Sequence, residues 1–202
     1  MLSKDLQRHS GEFAKAIQGH QFEVTPDGVY FPAAKQLVKV GVRYKHSING
    51  VSTGEFDDNL VPAEGRIHAL NVALGATPKI PTWYLAPFTG NATPIDSWTA
   101  ANFSANATES VSNTEGYGQT TRRPFAPGVA VAGGISNVGT EATFNIVTAG
   151  AGITFYGIGL LSTNVKGDTA GVLISAAKFT TAKIVTNTDV WGITHEVTAT
   201  ST

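Results

Sequence analysis

The sequence predicts a mainly β protein: a β-sandwich or jelly-roll domain with one or two short helices, preceded by a more charged N-terminal segment. Three observations predict it. Runs rich in Val, Ile, Thr and Phe recur along the chain with Gly, Asn, Asp and Pro between them. No strand–helix–strand alternation interrupts the series, which argues against a parallel α/β sheet. Charge is uneven, with 16 of the 29 charged side chains and four of the five histidines in residues 1–68. The remaining stretch of Thr, Ala, Gly and Val is poor helix material and reads as short strands joined by tight turns. The chain is expected to divide into a charged arm or strand segment, 1–56, and a β domain, 57–202, opened by a short helix.

Each element follows from its own pattern. Residues 3–19 place Leu6, Phe13 and Ile17 at near-helical spacing, with Ser3 as a cap and Gly19 as a stop. Phe22 and Val24, then Pro26-Asp-Gly28, then Val29–Phe31 read as two extended pieces around a turn. Over 37–46, Val38, Val40, Val42 and Tyr44 alternate with Lys39, Gly41, Arg43 and Lys45, a strand with one apolar and one basic face. Asn49-Gly50 continues into a turn. A helix over about 62–74 opens at Pro62, with Asp57 and Asp58 upstream on the side its dipole favours. Ile67, Leu70, Val72, Ala73 and Leu74 give it an apolar stripe, and Gly75 ends it. Strands are expected at 80–88, 141–148, 153–161, 171–179 and 190–198, and a helical turn at 96–103 capped by Asp96 or Ser97. Residues 104–120 and the Gly-rich 129–139 carry no clear period.

Composition bounds the function. At 202 residues the chain can bury roughly 70% of its extended surface and support its own core. A net charge of −1 gives no bulk attraction for nucleic acid or an anionic membrane. Without cysteine there are no disulfides, thiolate nucleophiles or cysteine-held metals. The first nine residues carry charge where a secretory leader would be apolar, and the longest apolar runs fall far short of the ~20 residues of a membrane helix. Charged residues are 14% of the chain, against about 25% in an average domain. A surface so poor in Lys and Glu suits a protein covered by copies of itself or by another protein.

No residue set carries strong catalytic chemistry, and no cofactor or metal is expected. Ser136 lacks the spacing of a nucleophile elbow, and Gly157-Ile-Gly159 lacks the third glycine and the strand-to-helix setting of a phosphate loop. The histidines are scattered. Glu55, Asp57 and Asp58 lack calcium-loop spacing and read as helix-cap carboxylates. Glu109, Glu115, Glu141 and Asp168 would serve a glycosidase only if the fold paired them. Trp83, Tyr84, Phe88, Trp98 and Trp191 are expected as core anchors, although the tryptophans would also suit sugar stacking if exposed. Arg122 and Arg123, in a polar segment, are candidates for a subunit interface. Lys35, Lys39, Arg43 and Lys45 are candidates for docking onto an acidic surface.

Asn59-Leu-Val-Pro-Ala-Glu-Gly-Arg-Ile-His-Ala-Leu-Asn-Val-Ala-Leu-Gly75, followed by Trp83-Tyr-Leu-Ala-Pro-Phe-Thr-Gly-Asn91 and Thr93-Pro94, resembles virion structural proteins of tailed bacteriophages. Trp98–Phe103, Arg122–Pro127, Gly134–Val138, Ala142–Phe144, Ile153–Ser162 and Ala182–Asp189 extend the resemblance over about residues 57–200. The chain departs from the pattern at Thr120-Thr-Arg-Arg-Pro124 and throughout its first 56 residues. The resemblance implies a capsid cement or decoration protein that is not an enzyme. Its partners would be the major capsid protein and further copies of itself, with no nucleic acid and no membrane. Its place would be the capsid surface, after assembly in the host cytoplasm. The alternative is a tail or fibre protein that binds host glycans through exposed tryptophans.

Overall fold

Valine and tyrosine alternating with charged residues form the strand they predict: β3 runs Val38–Ile48, with Val42, Tyr44 and His46 buried and Arg43 exposed on the opposite face. β3 returns through Asn49 and Gly50, both at positive φ, into β4, Val51–Asp58. The computed structural model describes residues 23–25, 28–30, 38–131 and 133–201. Two units divide the chain, Met1–Val38 with Ser201–Thr202 and Lys39–Thr200. In the first, β1 (Glu23–Thr25) and β2 (Gly28–Tyr30) pair antiparallel, the two extended pieces read from the sequence; Pro26 and Asp27 of the expected turn lie outside the described residues. The helix expected over 3–19 and Lys35 lie outside the described residues.

The second unit is the expected β-sandwich. Its six-stranded sheet has the order β4-β3-β12-β9-β6, with β8 also paired to β12. The members beyond β3 and β4 are β6 (Gly116–Tyr117), β8 (Gly134–Ser136), β9 (Ala142–Val147) and β12 (Val190–Ser201). A four-stranded sheet, β11-β10-β5-β7, is built from β5 (Trp83–Phe88), β7 (Arg123–Phe125), β10 (Ile153–Leu161) and β11 (Leu173–Val185). Tyr44, Phe144, Trp191 and Ile193 from the first sheet meet Leu85, Phe155, Ile158 and Phe179 from the second in one buried cluster. Trp191 is its centre, stacked on Phe155 at 4.8 Å and tilted against Phe144 at 5.4 Å.

The expected boundary at residue 56 falls inside β4. It marks no break in the fold, because β3 and β4 complete the sheet that β12 and β9 begin. β4 was missed because Asp57 and Asp58 look like helix-cap residues. Asp57 instead points inward and is fully buried.

A second cluster covers the outer face of the four-stranded sheet. Helix α2, Ala100–Ala107, buries Ala100, Phe103 and Ala107 against Phe88, Trp98, Leu161 and Leu173. A Cβ on Gly157 would strike the Phe88 ring, and one on Gly159 the Phe103 ring. Those glycines make room for aromatics, which explains a Gly-x-Gly inside a strand. The helix starts later than expected. Asn102 Oδ1 accepts from the Thr99 backbone N–H at 2.8 Å, while Asp96 is occupied by Arg66 in a bidentate pair at 2.7 and 3.2 Å.

Candidate functional site

The polar groups most suited to chemistry are consumed inside the fold. Arg122 is fully buried and uses all five of its N–H donors. Nε and Nη2 donate to the two Glu109 carboxylate oxygens at 2.8 Å each, and Nη2 also reaches the Asp168 carbonyl at 3.2 Å. Nη1 donates to the Thr163 carbonyl and hydroxyl at 3.1 and 2.8 Å. The expectation that Arg122 serves a subunit interface is therefore corrected: no donor is left for a neighbour. Arg123 is partly buried, and its Nε makes no hydrogen bond. Beside this knot, Lys166 Nζ donates to Asn113 Oδ1 at 2.8 Å and to the Tyr117 carbonyl at 3.0 Å. Its burial brings its pKa down to about 8.

The four carboxylates weighed for hydrolysis do not pair. Glu109 is held by Arg122. Glu115 accepts from the Ala149 N–H and the Thr148 hydroxyl, which keep it below the usual carboxylate range. Asp168 Oδ1 accepts from the Ala170 N–H, and Glu141 lies exposed on the six-stranded sheet. Asp57 accepts from buried His46 at 2.9 Å and from the Thr180 N–H at 2.6 Å. Burial pushes the Asp57 carboxyl up, but these bonds and the pull of His46 outweigh it and hold it below its ordinary 3.8. This pair ties β3 to β4 and β11; a helix-cap role for Asp57 is overturned. Among the described residues, no three His, Asp or Glu side chains converge to hold a metal ion.

The basic face of β3 is not a free positive stripe. Arg43 pairs with Glu196 of β12 at 2.5 Å and lies 4.4 Å above the Phe56 ring. It also faces Asp58 in register across β4, and Lys45 sits 5.7 Å from the same ring. Glu196, with Asp58 in register, thus offsets Arg43 on the face that sequence alternation makes look basic, while Lys45 lies beside Phe56. Lys39 lies on the same strand.

Of the expected core anchors, Phe88, Trp98 and Trp191 are buried, while Trp83 and Tyr84 are half-buried. Trp83 meets His68 edge-on at 5.6 Å. Buried Trp98 and Trp191 have no face to offer a sugar.

Sequence reasoning misplaced one surface. Helix α1, Ala63–Leu74, buries only Gly65, where a Cβ would collide with the Ile174 carbonyl of β11. Glu64 fastens the same turn, its Oε2 accepting from the Leu173 N–H at 2.7 Å and the Ala100 N–H at 2.8 Å. Gly65, His68 and Val72 therefore face inward. Ile67, Leu70 and Leu74, also spaced i, i+3, i+7, form the opposite ridge and are 59%, 60% and 85% exposed. Of the apolar stripe read from the sequence, Ile67, Leu70, Ala73 and Leu74 are exposed, and Val72 alone faces inward. The signal was available: a glycine at Gly65 gives the helix two apolar faces, and the slim one can approach the sheet closely.

No family model matches the chain, and no curated protein sequence matches it. Among the described residues no helix is long and apolar enough to cross a membrane.

Proposed function

We propose that this protein is a non-enzymatic structural component of a tailed-phage particle, a cement or decoration protein that fastens to the outside of the capsid lattice and to copies of itself. The observation that carries the reading is the outward ridge Ile67–Leu70–Leu74 on a helix pinned to the sandwich. It lies in the segment, 59–75, where the resemblance to virion proteins begins. Three aliphatic side chains held rigidly in water suit a contact surface. Small contacts of this kind add strongly when several copies grip one lattice, because every contact after the first is intramolecular. The internal use of Arg122, Glu109, His46 and Asp57 also supports a role in fastening. A tail or fibre protein reading host glycans through tryptophans has less support, since Trp98 and Trp191 are buried.

The test is co-sedimentation with phage particles assembled without the chain. The full chain is expected to pellet with them in copy numbers of a shell component. The triple variant Ile67→Lys, Leu70→Lys, Leu74→Lys should keep its melting temperature and lose at least tenfold in binding. Equal binding by the triple variant would overturn the ridge as the contact, and no binding by the parent chain would overturn the reading.

A further inference from the structure

The outer face of the six-stranded sheet holds a trough of about 540 Å³, within the ~300–1,000 Å³ range of small-molecule sites. Its floor is a row of small residues set by strand register. Ser52 lies opposite Ser47, a Cβ on Gly192 would meet the Ser47 hydroxyl, and Gly192 lies opposite Thr143. Longer side chains wall the row: Lys45 and Phe56 from one register pair, and Glu141 just before β9. Glycine inside a central strand weakens it, and here it lowers the floor so that a ligand can approach the sheet.

We infer that this trough binds an uncharged oligosaccharide. The site is separate from the α1 ridge, and the inference goes beyond the contact role. The chemistry of the lining selects the ligand class. Arg43 and Lys45 are balanced by Glu141 and Glu196, so the described lining has no net charge to draw an anion or a cation. An extended peptide would need free main-chain groups. Of the floor strands, β3, β12 and β9 are interior and paired on both sides, and β4 has its free edge at the margin of the trough. What the floor does offer is hydroxyls, which both donate and accept, with a carboxylate and an ammonium at its margins. Sugar hydroxyls pair with that set. Phe56, 48% exposed with Arg43 over its ring, adds apolar surface to the wall for the C–H groups of a sugar.

The experiment uses the full chain on an array of neutral oligosaccharides (glucans, mannans and galactans) with sialylated and uronate-containing glycans as the second arm, then titration calorimetry on the tightest binder. Retention of a neutral glycan is expected. Thr143→Arg, filling the row from an outward-facing position, and Phe56→Ser should each weaken it more than tenfold with an unchanged melting temperature. The α1 triple lysine variant should bind it normally. The inference is overturned if no neutral glycan is retained, if only acidic glycans bind, or if Thr143→Arg binds as the parent chain does.

Discussion

Arg122 illustrates what a charged side chain needs inside this sandwich: a bidentate carboxylate and three further acceptors, with no exposed surface at all. Arg122→Ala would leave Glu109 buried with the Gly167 N–H as its remaining bond, at 3.1 Å. Loss of one partner of such a pair costs about 3–5 kcal/mol. Urea unfolding should show that loss, and the double change Arg122→Met, Glu109→Leu should recover most of it. His195 takes the opposite solution. It is fully buried between Tyr44 and Phe125, neither ring nitrogen is hydrogen-bonded, and burial lowers its pKa from 6.5 to about 3. The unfolded chain then takes up a proton below pH 6.5 that the folded chain refuses. His195 adds no pH dependence above pH 6.5, and below it stability should fall towards pH 3 by about 1.4 kcal/mol per unit; Lys166, held near 8, makes stability rise again only above about pH 8. Asp57 adds to the loss only below its ordinary 3.8. Urea midpoints measured across this range for His195→Leu should lose the slope between pH 6.5 and 4 and keep the acid limb.

Among the elements, α1 inverts the usual logic of an amphipathic helix. It docks through a glycine and a carboxylate and turns its aliphatic ridge to solvent. Alanine is favoured over glycine in a helix interior by about 1 kcal/mol, so propensity alone says that Gly65→Ala stabilises. The added methyl would collide with the Ile174 carbonyl, a backbone atom that cannot swing aside. Overpacking of this kind costs about 1–3 kcal/mol. Thermal unfolding should therefore show a lower melting temperature for Gly65→Ala, with the ridge variants Ile67→Lys and Leu70→Lys close to the parent. Strands were legible where period two was clean, as in β3 and β9, and β10 was legible as an apolar run buried on both faces. β6, β7 and β8 are two or three residues long and too short to show a period. β4 was hidden by its acidic end, which looks like the start of a helix.

For the molecule as a whole, the two-sheet architecture was readable because turn residues and β-branched runs alternate over most of its length. The candidate site was not. Helical spacing says that Ile67, Leu70 and Leu74 share a face, and it is silent on which face the sheet takes. That choice belongs to Gly65 and to an ion reaching across to β11, a tertiary contact 109 residues away in sequence. The alternation of β3 is likewise silent on the partner of Arg43: Glu196, which pairs with it, is 153 residues distant. Glu64 has a mechanical consequence. One of its oxygens grips both the first residue of α2 and the first residue of β11, so a tug on α1 is delivered straight to the sheet. With no hinge between handle and wall, α1 has little wobble of its own.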